Sequence, residues 1–210
     1  MLRAILWAAL LCAAPAFAQD VTALAGKVDA HYNHLKSLET QYSEHYAGMG
    51  IDRTERGTLL LKKPGRMRWA YATPAGKLFV LDGKFAWFYT PGDAQVQRVP
   101  AKQLDDLRSP LRFLLGHTQL QKELGGLTMS AAGTNFVLSG VPKGMEQRVK
   151  SLALTVTGSG TIMGMRLEET DGAVTEFAFS GMKENVPVKD SDFVFTPPAG
   201  VPVVDGLPPI

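Results

Sequence analysis

Few residues of this sequence have the types and spacing that acid–base or metal chemistry requires. His31 and His34 lie three positions apart, close enough to share one face of a helix, but no cysteine or obvious third ligand accompanies them. Asp105-Asp106 and Glu168-Glu169 are adjacent pairs, and adjacent side chains diverge on a regular helix or strand. The sequence therefore predicts no metal site and no catalytic pair of carboxylates.

Nucleophilic and phosphate chemistry are no better supported. Gly158-Ser159-Gly160 lacks the residues of a nucleophile elbow and is typical of a hairpin turn. His45 and His117 stand alone, and the sequence contains no glycine-rich phosphate-binding loop. The sequence thus predicts a protein that is not an enzyme and needs no cofactor. Any energy that its function requires must come from a partner.

The chain is better equipped to bind apolar groups. Seven of its eighteen aromatic residues fall between Gly57 and Val99, in predicted strands that turn residues separate. Alternate positions of two such strands place three large apolar side chains on one face: Met67, Trp69 and Tyr71, and then Phe85, Trp87 and Tyr89. We expect the two sets to line one wall of an apolar site. Alternation alone fits an ordinary core as well, because any sheet with a single buried face alternates in this way.

An amphipathic helix near the start of the chain is the first element that must position these strands. Apolar residues recur there at helical spacing: Leu24, Val28, Tyr32, Leu35 and Leu38. Asp20 is placed to cap the exposed amides of the first turn. We expect this helix to lie along the sheet.

Beyond Glu39 the apolar period falls toward two, which is typical of strands. Short turn sequences such as Lys63-Pro64-Gly65 and Asp82-Gly83 separate the apolar runs. Connections this short favour consecutive antiparallel strands. Eleven or twelve strands would leave exposed edges unless the sheet curls toward closure. The predicted strands lie near 40–48, 53–63, 66–72, 77–82, 84–90, 94–99, 127–131, 134–140, 149–157, 161–170 and 174–180, with a short one around Phe193-Val194-Phe195.

Two short helices are predicted between Pro100 and Gly126. Ser109-Pro110 offers a cap residue and a proline suited to the first helical position. The second helix begins with a capping box at Thr118-Gln119-Leu120-Gln121 and stops at Gly125-Gly126. From Pro197 onward the chain is rich in proline and is predicted to form loose coil.

The first residues predict a cleaved signal peptide over residues 1–18. Met1-Leu2-Arg3 supplies a positive charge, and Ala4 to Leu11 form an apolar run that is too short for a membrane anchor. Ala16-Phe17-Ala18 matches a cleavage signal, so cleavage is expected after Ala18.

The remaining residues, 19–210, are expected to form one soluble exported domain. Cys12 is the only cysteine of the sequence and lies in the signal peptide, so the mature protein would have neither disulfides nor a lipid-attachment cysteine. Loss of Arg3 lowers the formal charge from +2 to +1, which is too near neutral to indicate a polyanionic partner. Nucleic acid is therefore not an expected ligand.

Several segments of the mature chain follow one another in a characteristic order. They are Gly57 with Leu59-Leu60-Leu61-Lys62-Lys63-Pro64-Gly65-Arg66-Met67-Arg68-Trp69, Asp82-Gly83-Lys84 with Trp87-Phe88-Tyr89 and Gln95, Ser109-Pro110-Leu111 with Leu114-Leu115, and Phe193-Val194-Phe195-Thr196-Pro197-Pro198-Ala199-Gly200-Val201. In this order and spacing, and behind a signal peptide, they resemble the periplasmic outer-membrane lipoprotein carrier family, LolA. The resemblance covers nearly the whole mature chain.

The resemblance implies a mainly β (α+β) fold: an incomplete antiparallel β-barrel of about eleven strands whose mouth is covered by a helical lid. It turns the two aromatic faces into candidate walls of an apolar cavity. Family members receive triacylated lipoproteins from an inner-membrane ABC transporter, cross the periplasm and pass them to an outer-membrane receptor. By resemblance this chain is a periplasmic chaperone, and we expect it to act as a monomer.

The resemblance also suggests roles for single residues. The family's barrel has an arginine, just before the proline of one turn, that holds the lid by hydrogen bonds, and Lys63 occupies that position. Lysine keeps the charge but lacks the planar fork of five donors, and a solvated lysine at the sheet rim is the alternative. Met67 stands where the family often has phenylalanine. The lid candidates, for which a plain core helix is the alternative, are Leu111, Phe113, Leu114 and Leu115.

Two other functions stay open at this point. The chain could transport a glycolipid or phospholipid, because an apolar half-barrel need not specify a head group. It could instead be a membrane-anchored receptor of similar fold, which the lack of a lipid-attachment cysteine disfavours. Four basic residues could meet an acidic partner or simply form a solvated face: Lys62, Lys63, Arg66 and Arg68.

Overall fold

One large sheet dominates the protein. The computed structural model describes residues 16–106 and 119–206, and these contain twelve strands in the order β12-β6-β5-β4-β3-β2-β1-β11-β10-β9-β8-β7. Neighbouring strands are antiparallel except for β12 and β6, which are parallel. The strands are β1 (Ser37–Gly48), β2 (Ile51–Lys62), β3 (Arg66–Thr73), β4 (Leu78–Leu81), β5 (Phe85–Tyr89), β6 (Val96–Pro100), β7 (Leu124–Ala132), β8 (Asn135–Pro142), β9 (Val149–Val156), β10 (Ile162–Glu169), β11 (Val174–Glu184) and β12 (Val203–Asp205).

Helices make up a small part of the described residues. They are α1 (Ala16–His34), α2 (Ala101–Asp106), α3 (Leu120–Glu123) and a 3₁₀ turn (Asp190–Phe193). The prediction of a mainly β chain, with an antiparallel sheet that curls without closing, is confirmed. Residues 1–15 of the predicted signal peptide and residues 107–118 of the predicted lid lie outside the described residues.

The predicted helix boundaries were wrong at both ends of α1. The helix begins at Ala16, so Asp20 lies within it rather than at its cap. It ends at His34, and Leu38 belongs to β1, where it is fully buried. Leu38 satisfies the helical spacing by coincidence, because the chain turns at Leu35 and Lys36 and enters the sheet with another apolar side chain facing the core.

The segment after β11 also differs from its prediction. The expected strand around Phe193 is a 3₁₀ turn, in which Phe193 is fully buried and the next residue, Val194, is 59% exposed. The segment after Pro197 is not all loose coil, because Val203–Asp205 adds a parallel strand beside β6. Val96 donates its N–H to the Pro202 carbonyl at 2.9 Å where this pairing begins.

The sheet curves around α1. Trp69 in β3 and Phe177 in β11 are separated by β2 and β1, which would place these strands about 14 Å apart in a flat sheet. Their ring centroids are nevertheless only 5.6 Å apart. Val99 of β6 and Leu138 of β8 also belong to one core together with Val28 of α1. We call the concave face that packs against α1 the inner face, and the opposite one the outer face.

Three contacts hold α1 against the sheet and its loops. The Tyr32 hydroxyl accepts a hydrogen bond from the Ile162 N–H at 3.1 Å, and the Asp29 carboxylate accepts one from the Leu120 N–H at 3.1 Å. The backbone of α1 passes so close to the β9–β10 turn that a Cβ at Gly160 would lie 2.7 Å from the carbonyl carbon of Lys27. No described helix combines the length and the apolar character that crossing a bilayer requires.

Gly160→Ala should lower the free energy of unfolding by about 2–4 kcal/mol. The added Cβ would collide with the backbone of α1, and a φ of +95° at this position disfavours any side chain. Urea denaturation followed by circular dichroism measures the loss. Gly158→Ala is the matched control in the same turn, because its Cβ would meet only the Phe136 ring at 3.7 Å. Equal losses in the two variants would contradict the close approach of α1.

Candidate functional site

The first predicted set, Met67, Trp69 and Tyr71 of β3, lies on the inner face. Met67 and Trp69 are each 2% exposed, and Tyr71 is half-buried nearer the end of β3. Trp69 meets Tyr42 edge to face with centroids 4.4 Å apart, and its indole N–H donates to the sulfur of Met67 at 2.8 Å. Met67 and Trp69 therefore belong to the packed core, and Tyr71 lies at its border.

The second set lies on the outer face, so the expectation that both sets line one wall is wrong. The register places Trp69 opposite Phe79 and Phe79 opposite Phe88, and directly paired residues share a face. Trp87 is paired with Val80, which is paired with Arg68 on the outer face. Alternation within β5 showed that Phe85, Trp87 and Tyr89 lie together, but only the pairing through β4 decides on which face.

The outer set packs against the chain after β11. The Phe195 ring lies 5.7 Å, between centroids, from both Trp87 and Tyr89, and the Arg98 guanidinium lies 4.6 Å from the centre of the Phe85 ring. The Trp87 indole N–H donates to the Asp82 carboxylate at 2.8 Å. These aromatic side chains anchor the segment after β11 to the outside of the sheet.

Burial works against the charge of the Asp82 carboxyl, but hydrogen bonds outweigh it. Asp82 accepts hydrogen bonds from the N–H groups of Phe85 and Lys84, each at 2.7 Å, in addition to that from Trp87. Together with the nearby Arg66 charge they hold the pKa of this carboxyl below its ordinary value. Asp82 thus fixes the β4–β5 turn and the orientation of Trp87.

The sequence analysis missed inner-face residues that lie beside the core and keep part of their surface exposed. Phe79 and Phe88 are two of them, and their centroids are 5.0 Å apart. The turn Asp82-Gly83-Lys84 is the sequence signal that could have found them, because its length fixes the pairing of Leu81 with Ala86. The half-buried apolar residues around the core include Tyr71, Phe79, Phe88, Met129, Leu167 and Phe177.

Lys63 connects the sheet to the end of α1. It follows β2, and its ammonium group donates to the backbone carbonyl of Tyr32 in the last turn of the helix. A cation at this position also interacts favourably with the negative end of the helix dipole. Partial burial lowers the pKa of the Lys63 ammonium group. The lid candidates Leu111, Phe113, Leu114 and Leu115 lie outside the described residues.

Tyr32 is the residue that Lys63 contacts, and it is fixed from two sides. Its side chain is fully buried, and its hydroxyl accepts the hydrogen bond from Ile162 described above. Burial raises the pKa of Tyr32 to about 12. The hydroxyl therefore stays neutral at physiological pH, and the end of α1 is held both by β10 and by the turn after β2.

Polar side chains occupy the other end of the inner face. Glu44 of β1 and Glu55 of β2 are directly paired, and Glu55 is 7% exposed. The Lys77 ammonium group contacts both oxygens of Glu55 at 2.7 Å, and the Arg53 guanidinium lies 3.9 Å from one of them. Burial and the facing Glu55 carboxylate raise the pKa of Glu44. Counting alternate positions from the apolar Tyr42 would have placed Glu44 inward.

His31, His34 and two residues of the basic cluster have local partners. His31 lies 2.8 Å from the Glu184 carboxylate, whereas the His34 ring nitrogen lies 2.6 Å from the Ala30 carbonyl, so the two rings are not directed at one site. No group of three or more metal-binding side chains occurs among the described residues. Asp190 contacts both Lys62 and Arg66, which partly neutralises the basic cluster.

Comparison with known proteins identifies relatives over most of the chain. The family model for the outer membrane lipoprotein carrier protein LolA matches residues 34–196. An outer-membrane lipoprotein carrier protein of Sodalis glossinidius is 31% identical over 207 residues, which is 98% of this chain and 97% of that protein. One from Nitrosospira multiformis is 33% identical over 156 residues, 73% of this chain and 74% of that protein.

Solved structures support the same fold at lower sequence identity. An uncharacterized conserved protein from Thermus thermophilus superposes with a TM-score of 0.56 at 11% identity, covering 90% of this chain and 99% of that one. A DUF1329 family protein from Desulfovibrio piger gives 0.51 at 14% identity, covering 84% and 96%. Similarity at this level establishes the architecture alone. The match of the family model over residues 34–196, together with the near full-length relatives, shows that this chain belongs to the LolA family of outer membrane lipoprotein carrier proteins.

Proposed function

We propose that this protein transports lipoproteins through the periplasm to the outer membrane and shields their acyl chains on its inner face. The observation on which this rests is the set of apolar residues that pack against the core and yet remain partly exposed. Each exposed CH₂ group of an acyl chain costs about 0.8 kcal/mol in water. A protein that bears three such chains needs a shield of this kind to stay in solution.

The composition of the inner face suits a cargo that must be released as well as bound. Phe79, Phe88 and Phe177 supply broad apolar surface, and Met129 supplies a flexible thioether. Such side chains adapt to acyl chains of different length and packing. Family membership supports a non-enzymatic carrier, and His31, Asp82 and Asp190 are engaged in local contacts.

We propose that Lys63 acts as the latch that keeps α1 over the inner face. Its contact with the Tyr32 carbonyl joins the turn after β2 to the last turn of the helix. A single ammonium group bonded to one carbonyl is easier to detach than a guanidinium with several donors. Opening of this contact would let α1 move and enlarge the apolar surface for cargo.

The partners follow from the proposed route. An inner-membrane ABC transporter would supply triacylated lipoproteins and the energy for loading, and an outer-membrane receptor would accept them. Signal-peptide cleavage after Ala18, a single mature domain over residues 19–210 and action as a monomer belong to the same proposal. The exported mature chain would then be confined to the periplasm between its two membrane partners.

Depletion of the protein in its native host should make outer-membrane lipoproteins accumulate in the inner membrane. Without a shield, the acyl chains cannot leave the bilayer at a useful rate. Membrane fractionation with immunoblotting measures the distribution, and mass spectrometry identifies what co-purifies with the protein from native periplasm. Unchanged lipoprotein sorting, with only free glycolipid or phospholipid co-purifying, would contradict this function.

Phe88→Ser should weaken binding of a fluorescent triacylated lipopeptide about tenfold, because it removes apolar surface from the inner face. Tyr89→Ser is the matched control: it changes the neighbouring aromatic residue, which is also half-buried but lies on the outer face. Thermal melting of both variants checks that they fold. Equal losses of affinity would place the acyl chains elsewhere.

Lys63→Leu should speed amide exchange in α1 and slow lipoprotein transfer to the receptor severalfold, since the helix loses its contact with the turn after β2. Lys63→Arg should keep amide exchange in α1 at least as slow as in the wild type, because a guanidinium can donate to the same carbonyl. Lys62→Leu is the control, because the Lys62 ammonium group pairs with Asp190 instead. Hydrogen exchange and a reconstituted transfer assay provide the two measurements. If Lys63→Leu matches the wild type in both, Lys63 is not a latch.

A further inference from the structure

We propose that the polar end of the inner face binds the secondary amide that joins an acyl chain to the polypeptide of the cargo. This polar subsite consists of Tyr42, Glu44, Glu55, Tyr71 and Lys77. The inference rests on the proposed carrier function and adds a recognition element to the apolar surface. It assigns a role to buried polar side chains that shielding of hydrocarbon does not require.

The position of the subsite suits the junction between hydrocarbon and peptide. Glu44 lies seven residues along β1 from Ser37, which is about 23 Å along the strand. The end of α1 and the Lys63 contact lie near Ser37, because the Lys63 N–H donates to the Lys36 carbonyl. The polar subsite is therefore at the end of the inner face opposite to that contact, with half-buried Tyr71 and Phe177 beside it.

Two groups of the subsite, the Tyr42 hydroxyl and the Glu44 carboxylate, make no side-chain hydrogen bond of good geometry among the described residues. Tyr42 is 3% exposed, and its hydroxyl, which lies beside that of Tyr71, completes no hydrogen bond of good geometry with them. Glu55 has both oxygens on Lys77, whereas the facing Glu44 carboxylate has no such contact there. A buried hydroxyl that completes no hydrogen bond is costly, and a ligand that accepts from it would relieve that cost. The Glu44 carboxylate is only partly buried and has the charges of Lys77 and Arg53 nearby, so it remains able to accept a hydrogen bond.

The chain keeps space for the Tyr42 hydroxyl. Gly57 is the inner-face residue paired with Tyr42, and a Cβ there would lie 2.9 Å from that hydroxyl and 2.1 Å from the Ala70 carbonyl oxygen. The pairing of β2 with β3 shifts by one residue between Arg56 and Gly57. Glycine at this irregularity leaves room for the buried hydroxyl beside β2.

The hydrogen-bonding capacity of the Glu44 carboxylate and the Tyr42 hydroxyl determines which ligand fits. The Glu44 carboxylate offers an acceptor, and the Tyr42 hydroxyl offers a donor. A secondary amide supplies the matching N–H and C=O within one small group, and its acyl chain continues onto the adjoining aromatic surface. A phosphate head group would instead meet the Glu44 and Glu55 carboxylates, and Lys77 is already bonded to Glu55.

Binding to two probes tests this assignment. Tyr42→Phe and Glu44→Gln in the full-length protein should each weaken binding of a synthetic triacylated lipopeptide about three- to tenfold, the usual effect of one hydrogen bond. Binding of palmitate, which has the chain without the amide, should not change. Tyr42→Phe should also leave the melting temperature unchanged, because the lost hydroxyl has no good hydrogen bond to remove. Tyr89→Phe, on the outer face, is the matched control.

Each of the other outcomes would overturn a specific part of the proposal. If both variants bind the lipopeptide like the wild type, the subsite does not contact the amide, although the carrier function stands. Equal weakening for lipopeptide and palmitate would reduce the subsite to part of the apolar wall. Tighter binding of an ethanolamine phospholipid than of the lipopeptide, lost in Glu44→Gln, would assign the subsite to a lipid head group. Failure of the wild type to bind the lipopeptide would overturn the carrier function as well.

Discussion

The packing of α1 on the concave face of an open sheet is the interaction on which the rest of the structure depends. Tyr32 is its centre, since its ring is fully buried, its hydroxyl is bonded to β10 and its carbonyl is bonded to Lys63. This one helix covers a surface to which strands near both ends of the sheet contribute, from β6 on one side to β8 on the other. Without it, the buried leucines of both halves of the sheet would face water.

A carrier needs this coverage to be incomplete. Full burial of Phe79, Phe88 and Phe177 would stabilise the empty protein by a few kcal/mol and would raise the cost of opening it by the same amount. In the proposed function, the half-buried rings leave part of that free energy available for cargo. The contact of Lys63 with a single carbonyl fits the same balance, because each added hydrogen bond to α1 would favour the empty form.

Sequence periodicity predicted the helices and strands of this fold better than the way in which the strands pair. Alternation in β3 correctly grouped Met67, Trp69 and Tyr71, because side-chain direction within one strand is a local property. It could not decide the face of Trp87, which depends on the register of β4 between two other strands. The pairing of Glu44 with Glu55 and the parallel addition of β12 likewise depend on chain geometry that no residue pattern shows.

The parallel pairing of β12 with β6 also constrains the order in which the molecule can assemble. More than a hundred residues separate Asp205 from its partner Arg98, and β1 must likewise wait for β11. A chain synthesised from its N-terminus therefore exposes the β6 edge, and the outer aromatic side chains that Phe195 covers, until nearly the whole sequence has emerged. Pairings of such long range slow folding. The β6 edge can therefore close only after the segment that carries Phe195 and β12 has been synthesised.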